Sequence, residues 1–256
     1  MADSPHGSRR RFLQRALLAA GGLALGACDD GASRSQQVKD ILGSAEPLNS
    51  KLQRALAGRK GLAREYDEKD LSPAFRANGS TNPQDADYRE LARSDFADWS
   101  LNIKGMVLNP HKLTLAELRD MPSRTQITRH DCVEGWSCIG KWTGARLSVV
   151  LDRARVAFGA RYVVFHCADT LGSAKYYESI DLADAYHEQS ILAYDMNDAP
   201  LTVPHGAPLR VRLERMLGYK QAKYIMQIEI TDTLHQFGMG KGGYWEDRGY
   251  EWYGGI

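Results

Sequence analysis

Cys132 is the residue whose surroundings in the sequence best suit metal chemistry. It follows Arg129, His130 and Asp131, in a short loop after a segment of alternating residues. A thiolate is a soft donor for a soft or high-valent metal, and neighbouring cations favour the deprotonated thiol. Two other roles fit the residue type, a buried apolar cysteine or one half of a disulfide with Cys138. The loop predicts a metal site with Cys132 as its first candidate ligand.

The residues around Cys132 resemble a loop of one enzyme family. Residues 128–137 read Thr-Arg-His-Asp-Cys-Val-Glu-Gly-Trp-Ser, and Trp142-Thr143-Gly144 follows. This pattern resembles the metal-ligand loop of the molybdopterin oxidoreductases with a sulfite-oxidase fold. The resemblance implies that Cys132 binds molybdenum as the single protein thiolate, beside the two sulfurs that the pterin supplies.

Arg129, three residues before Cys132, is the second candidate catalytic residue. A guanidinium at this place is suited to hold a substrate oxygen or a metal oxo group. The alternative is an ion pair with Asp131 or Glu134, which would occupy the same guanidinium.

A second block resembles the part of the family that holds the pterin phosphate. Residues 205–210 match His-Gly-x-Pro-x-Arg, and a glycine-bearing loop with a lysine follows about ten residues later. The phosphate is a dianion and requires charge-assisted donors. The residues implied to bind it are Arg210, Lys223, His205 and the backbone N–H groups of Gln221 and Ala222. The alternatives are solvated strand residues for Arg210 and Lys223, and a turn histidine bonded to nearby backbone for His205.

Two further stretches resemble cofactor contacts of the family. Phe75-Arg76-Ala77-Asn78-Gly79 is similar to an early loop that hydrogen-bonds the pterin rings, and Phe75, Arg76, Asn78 and Gly79 are the implied contacts. A plain surface turn is the alternative, because Asn-Gly is common in turns. Cys167 falls where relatives bring a small residue onto the cofactor, and a buried structural cysteine is its alternative.

The resemblance also implies a reaction class, oxygen-atom transfer coupled to two-electron cycling of a molybdenum–molybdopterin cofactor. Residues 133–136, Val-Glu-Gly-Trp, are similar to the loop of periplasmic protein-methionine-sulfoxide reductases, whereas sulfite oxidases carry an asparagine followed by arginines. Reduction of an S-oxide or N-oxide, small or protein-bound, is therefore expected. A sulfite-oxidase-like dehydrogenase that passes electrons to a cytochrome is one alternative. A non-catalytic, cofactor-binding periplasmic lipoprotein is another.

A zinc or disulfide role is the remaining alternative for a group of four residues. Their spacings match no common structural zinc pattern. The four residues are Cys132, Cys138, His166 and Cys167.

The first residues predict export. Ser8-Arg9-Arg10-Arg11-Phe12-Leu13 resembles a twin-arginine signal, and the apolar run 16–26 is shorter than the roughly 20 residues of a membrane span. Leu25-Gly26-Ala27-Cys28 resembles a lipobox, whose lipidated Cys28 would hold the protein at the inner membrane; ordinary signal cleavage is the alternative. The expected organisation is a signal at 1–27, a tether at 28–70 and a catalytic domain at 71–256, located in the periplasm.

The net charge and the redox groups of the chain indicate which binding partners to expect. The formal net charge is +1 over 256 residues, which gives no basic surface for nucleic acid. No haem-attachment motif accompanies the predicted molybdenum site. Electrons are therefore expected to come from a partner, either a membrane haem protein or a soluble cytochrome.

Strands and short helices must position these residues, and their mixture predicts an α+β fold with mixed sheets, as in the sulfite-oxidase fold. Strands are expected at 99–104, 125–129, 162–165, 176–180, 191–196, 209–213 and 225–230. Short helices are expected after the capping box Thr114–Glu117 and at 147–154 and 181–186, and a loop at 71–87. Residues 48–56 have the spacing of a weak amphipathic helix, but a solvated spacer is the preferred interpretation. The aromatic-rich segment 244–253 is expected to seal the core; the alternative is that it lines the mouth of the active site.

Overall fold

The alternating and apolar segments of the sequence form two five-stranded sheets. The computed structural model describes residues 61–256, with Ser35, Gln36, Val38, Ala45, Leu48, Asn49, Lys51 and Leu52. The predicted signal at 1–27 and Cys28 lie outside these residues. Contacts divide the chain into Met1–Lys51 and Leu52–Ile256, and the sheets belong to the second unit. Over the described positions, no helix is both long and apolar enough to cross a bilayer.

The strands of the described residues are β1 (Ser100–Gly105), β2 (His111–Thr114), β3 (Ser123–Asp131), β4 (Ser137–Arg146), β5 (Tyr162–Leu171), β6 (Ala174–Asp181), β7 (Ile191–Met196), β8 (Ala199–Pro200), β9 (Arg210–Arg212) and β10 (Ile225–Thr231). The α-helices are α1 (Ala86–Arg93), α2 (Leu115–Asp120), α3 (Leu147–Ala154) and α4 (Leu182–Ala185). Short 3₁₀ turns lie at Glu68–Asp70, Val203–His205, Gly218–Lys220 and Glu246–Arg248.

The sheet topology confirms the predicted α+β class with mixed pairing. The first sheet has the order β2-β1-β10-β5-β6, and the second has β3-β4-β7-β8, with β9 also paired to β7. β1 runs parallel to β10. The other pairs within the two sheets are antiparallel.

A single apolar cluster joins the two sheets. It includes Leu101 of β1 and Phe165 of β5 from the first sheet, Leu192 of β7 from the second, and Leu151 of α3. Each of these side chains is fully buried, and burial of one such side chain contributes about 1.5–3 kcal/mol. The alternation in β1 and the apolar run in β5 therefore predicted which faces enter the core.

Local signals predicted some elements well and missed others. Thr114 caps α2 and forms the predicted capping box with Glu117, and the helix ends before Pro122. The spacing of apolar residues also predicted α3. The helix α1 was missed, and it begins inside the segment predicted as a loop, with the Asp85 side chain accepting from the backbone N–H of Tyr88. β2, β4 and β8 were missed as well.

The hairpin of β3 and β4 positions Cys132. Asp131 pairs with Ser137 at the end of the ladder, so Cys132–Trp136 forms the connecting loop. The Cys132 N–H donates to the Trp136 carbonyl at 3.0 Å, and Gly135, at φ +84°, donates to the Cys132 carbonyl at 3.0 Å. A positive φ suits glycine because no Cβ clashes with the backbone. The loop is thus held by its own hydrogen bonds.

The last residues of the predicted tether contact the catalytic domain. The Tyr66 N–H donates to the Ile127 carbonyl at 2.9 Å, and Glu65 forms an isolated β-bridge with Thr128. The Ala63 N–H donates to the Gln189 side chain at 2.7 Å. The contacts of the domain therefore begin before Leu71.

Candidate active site

A cleft of about 120 Å³ lies beside Cys132. It brings together residues that are distant in sequence. The predicted site residues that line it are Asn78, Gly79, Cys132, Gln221 and Lys223.

The Cys132 thiol is free and partly buried in the cleft wall. Burial raises its pKa, and the Arg76 guanidinium opposes that shift. The neighbouring cations therefore do not lower the pKa of this thiol below its ordinary value, contrary to the expectation from the sequence. A metal ion bound at Cys132 would displace the thiol proton. Cys138 and Cys167 are also free, so the structure contains no disulfide among the three. No cluster of three or more His, Cys, Asp or Glu side chains in the described residues converges on a metal site.

Arg129 does not reach the cleft. Side chains alternate along β3, so the exposed Arg129 points away from the face on which His130 is buried. Its Nε lies 2.9 Å from a carboxylate oxygen of Asp131. The ion pair that the sequence left as the alternative is therefore the arrangement observed, and the structure offers Arg129 no contact with a ligand in the cleft.

Arg210 is fully buried, is not among the residues that line the cleft, and is only partly bonded. Its Nη1 donates to the His205 carbonyl at 3.0 Å, whereas Nε and Nη2 have no hydrogen-bond partner in the structure. Its guanidinium carbon lies 4.8 Å from the centre of the Trp142 ring. Burial, and then the charge of Arg212, lowers the pKa of Arg210 to about 9. Unpaired buried donors are costly, and an anion bound by Nε and Nη2 would satisfy them.

Lys223 ties two loops together at the edge of the cleft. Its Nζ donates to the carbonyls of Asn78 at 2.6 Å, Ser80 at 2.5 Å and Pro204 at 3.0 Å. Burial, and then the charge of Arg210, lowers the pKa of Lys223 to about 7. An ammonium has three donors, and all three are used here. Contact with a phosphate would require Lys223 to exchange one carbonyl.

Phe75 and His205 form a layer between the cleft loops and Arg210. The His205 Nε2 lies 3.0 Å from the Phe75 carbonyl. His205 therefore bonds backbone, as in its alternative role, and that backbone belongs to the predicted pterin loop. The Phe75 ring centre lies 5.2 Å from Trp142 and 5.8 Å from His130. This layer connects the early loop to the β3–β4 hairpin.

The remaining predicted residues lie at different depths. Arg76 is exposed at the rim, with its guanidinium carbon 5.2 Å from the Trp136 ring centre. The Asn78 Oδ1 is buried and has no partner in the structure. The Gln221 side chain faces His130 and donates to the Met216 carbonyl at 3.1 Å, and its backbone N–H, predicted to bind the phosphate, donates to the Gly218 carbonyl at 3.1 Å. Ala222 is buried in the core, and its carbonyl accepts from the Val211 N–H at 2.9 Å. Cys167 lines a separate cavity.

His130 and its charged neighbours were not predicted as a site. The Arg212 Nη1 donates to the His130 Nδ1 at 3.1 Å, and Arg212 also binds Glu214 through two nitrogens, at 3.0 and 2.6 Å. Burial and the charges of Arg212 and Arg210 lower the pKa of His130 well below its ordinary value. His130 is therefore neutral, and it supports the Cys132 loop from inside. Nothing local marks this set, because its members come from β3 and β9.

Asp169 is a cleft residue that sequence reasoning missed. It is 3% exposed, and its Oδ1 has no hydrogen-bond partner in the structure. Burial raises its pKa to about 6, against the opposing charge of Lys223. A lone aspartate within an apolar strand gives no sequence signal of its own.

Replacing Asp169 by Asn is expected to stabilise the metal-free protein at pH 8. The folded pKa of about 6 lies above the ordinary 3.8, so ionisation of Asp169 above pH 6 costs the folded state about 1–3 kcal/mol. Most of this cost is lost as the pH falls from 6 to 4, because the folded-state carboxyl is then protonated, so the gain should be much smaller at pH 4. Urea unfolding at pH 4 and pH 8 measures the difference. The exposed Asp232→Asn is the control, and an equal response of both variants would contradict the prediction.

Comparison with known proteins identifies the class. Residues 88–237 match the family model of the oxidoreductase molybdopterin binding domain, and the chain belongs to this family. The predicted molybdenum-dependent oxidoreductase of the sulfite-oxidase fold is thereby confirmed.

Relatives refine this assignment. The chain is 36% identical over 248 residues to a putative protein-methionine-sulfoxide reductase subunit, YedZ1, of Azospira oryzae, covering 97% of this chain and 88% of that protein. It is 31% identical to the uncharacterized oxidoreductase YuiH of Bacillus subtilis, covering 61% of this chain and 74% of YuiH. It is also 31% identical to the protein-methionine-sulfoxide reductase catalytic subunit MsrP of Xanthomonas campestris, covering 54% of this chain and 47% of MsrP. The chain thus spans about half the length of MsrP.

Among solved structures, the sulfane dehydrogenase SoxCD from Paracoccus pantotrophus is a neighbour. The TM-score is 0.49 at 23% identity, covering 53% of this chain and 39% of the SoxCD chain.

Proposed function

We propose that the chain reduces S-oxides by two-electron oxygen-atom transfer, with a molybdenum–molybdopterin cofactor held by Cys132. The S-oxide is converted to the thioether and water, and the reaction takes up two electrons and two protons. Two relatives named as methionine-sulfoxide reductase subunits support this choice of substrate.

The residues around the cleft fit the cofactor. The free Cys132 thiol suits a soft or high-valent metal, and the two unpartnered nitrogens of Arg210 suit a phosphate. The unpartnered oxygen of Asn78 suits an N–H group of a pterin ring. When bound, the group supplies two-electron redox chemistry and a position that exchanges oxygen.

Each residue then has a defined task. Cys132 ligates the metal, and its loop is fixed by hydrogen bonds to Trp136 and Gly135. Arg210 holds the phosphate. Lys223 keeps the Asn78–Ser80 loop against residue Pro204, which shapes the pterin side of the cleft.

The charges of the residues that line the cleft support a neutral oxide, rather than sulfite, as the substrate. The charged residues among its lining are Glu134, Asp169 and Lys223, and the Lys223 donors are all taken by carbonyls. Arg129 is turned away and paired with Asp131. Glu134 also lies 3.7 Å from the Arg76 guanidinium, which is exposed and is not among the lining residues. Among the described residues that line the cleft, a sulfite dianion would therefore meet two carboxylates and an ammonium whose donors are taken. A neutral sulfoxide or N-oxide meets no such penalty.

Export and electron supply complete the proposal. The twin-arginine-like segment and the Cys28 lipobox would place the enzyme in the periplasm at the inner membrane, where a membrane haem protein is the proposed electron donor. A soluble cytochrome is the alternative donor. Edman sequencing and mass analysis of the exported protein would show whether Cys28 is the modified N-terminus.

The test uses the full chain exported from a molybdate-fed host. One molybdenum per chain is expected, together with oxidation of reduced viologen by sulfoxides or N-oxides. Sulfite, assayed with an oxidised dye, is expected to give little turnover. Turnover of sulfite alone would establish the dehydrogenase alternative. Molybdenum without any turnover would favour the non-catalytic protein, and zinc in place of molybdenum would remove the proposal.

A further inference from the structure

Five aromatic rings form a continuous set beside Cys132, which we call the aromatic wall. Adjacent ring centres lie 5.2–5.6 Å apart, in both stacked and edge-on pairs. In contact order, the rings are Tyr176, Tyr244, Trp245, Tyr250 and Tyr219. The Tyr176 hydroxyl donates to the Tyr219 carbonyl at 2.5 Å and closes the set. The sequence offered two roles for the segment 244–253, sealing the core and lining the mouth of the active site. The segment has both, since Tyr244 is buried while Trp245 and Tyr250 line the cleft.

The aromatic wall is distinct from the residues proposed to hold the pterin. Lys223 donates to the carbonyls of Asn78 and Ser80, whereas each of the five rings contacts its neighbour in the set. Asn78, Ser80 and Lys223 line the cleft with Cys132, and so do four of the rings, all except Tyr244. The cleft therefore has a polar side, rich in hydrogen-bonding groups, and an aromatic side.

Buried ion pairs hold the wall in place. Between Trp245 and Tyr250, the Glu246 carboxylate accepts from Lys220 Nζ at 2.5 Å, and Lys220 also donates to Glu178 at 2.5 Å. Asp247 accepts from the Tyr177 hydroxyl at 2.7 Å. Rings fixed in this way lose little conformational freedom when a ligand binds, which favours binding.

We infer that the aromatic wall binds the substrate and selects neutral sulfoxides that carry an apolar substituent. The inference rests on the proposed function, since it names the class of oxide. Aromatic faces attract sulfur and apolar groups, with the sulfur about 5 Å from the ring. The buried Asp169 carboxylate in the same cleft disfavours anions, whereas Glu134 lies 3.7 Å from the Arg76 guanidinium. Trp245 and Tyr250 are therefore specificity-determining residues.

Binding to the oxidised holoenzyme tests the inference without turnover. Isothermal titration with methyl phenyl sulfoxide, in the absence of an electron donor, measures the Kd for wild type and Trp245→Leu. We expect the Kd to rise about tenfold in the variant, because one aromatic contact is lost. The molybdenum content should stay unchanged. Trp252→Leu is the matched control, since Trp252 belongs to the same segment, lies outside the cleft lining and donates to Ser179.

The outcomes separate this inference from the proposed function. An equal Kd in wild type and Trp245→Leu, or no binding to either, would show that the aromatic wall does not bind the substrate, even if the enzyme reduces sulfoxides. Loss of molybdenum in Trp245→Leu also overturns it, because the ring would then hold the cofactor. If binding depends on Trp245 but no sulfoxide is reduced, the inference about the aromatic wall is supported and the proposed function is wrong. If Trp245→Leu fails to fold, Tyr250→Leu gives the same comparison, since Tyr250 is 39% exposed and its truncation disturbs little packing.

Discussion

A Cys132→Ala variant is expected to be exported and folded but to contain almost no molybdenum. The proposed metal site has one protein thiolate, so its removal leaves only the cofactor's own contacts to hold the metal in place. Loss of a supporting group alone typically costs 10–100-fold, and we expect sulfoxide reduction to fall by more than about 100-fold. Elemental analysis and the viologen assay measure both effects. The wild-type loop should persist, because its hydrogen bonds use backbone groups of Cys132.

Cys138→Ala is the matched control for this prediction. Cys138 is also a free, partly buried cysteine, and it lies on β4 with its Sγ 3.9 Å from the Ala74 carbonyl. Its removal should leave molybdenum and turnover near the wild-type values. Retention of molybdenum in Cys132→Ala, or equal losses in both variants, would show that another group ligates the metal.

Replacing Lys220 by Met is expected to lower the free energy of unfolding by about 3–5 kcal/mol. Lys220 is 1% exposed and bonds Glu178 and Glu246, both of which are also buried. Removal of the ammonium leaves two buried carboxyl groups without a compensating charge. The pKa of Glu178 is already raised well above its ordinary value, by burial first, with Lys220 opposing the shift. The loss should therefore be larger at pH 8 than at pH 5, because a protonated Glu178 needs no compensating charge.

Urea unfolding of the metal-free protein at pH 5 and pH 8 provides the measurement. Lys241→Met is the control, since Lys241 is exposed in the same C-terminal region and its loss should change stability by less than about 0.5 kcal/mol. Similar losses for the two variants would mean that the buried cluster contributes little. Lys220→Met should also loosen Trp245 and Tyr250, because Glu246 lies between them and loses its anchor.

The comparison of Arg129 with Arg210 shows where sequence reasoning stops. Both are arginines in a motif, and both were predicted to bind a ligand. Alternation along β3 sends Arg129 to the exposed face, where Asp131 takes its charge. Arg210 enters the interior because β9 pairs with β7 deep in the second sheet, and its free nitrogens remain there. The direction of a side chain depends on which face of the sheet is covered, and a motif does not encode that.

Some features of this protein follow from the sequence by itself. The cysteine loop at 132, the capping box at Thr114 and the apolar run of β5 are local patterns, and each depends on residues a few positions apart. Family membership and the oxidoreductase class follow from such patterns too, because a metal-ligand loop is contiguous in the chain.

The tertiary structure alone decided the rest. Asp169 joined the cleft, Lys220 met Glu178 and Glu246, and the C-terminal rings turned towards Cys132. These partners lie tens of residues apart, and their contacts exist only when both sheets and the terminal segment are packed. Burial and electrostatics depend on all neighbours at once, whereas backbone periodicity depends on the nearest ones. That difference in range is the reason why the candidate ligand Cys132 was visible in the sequence, whereas Asp169 and the partners of Lys220 were not.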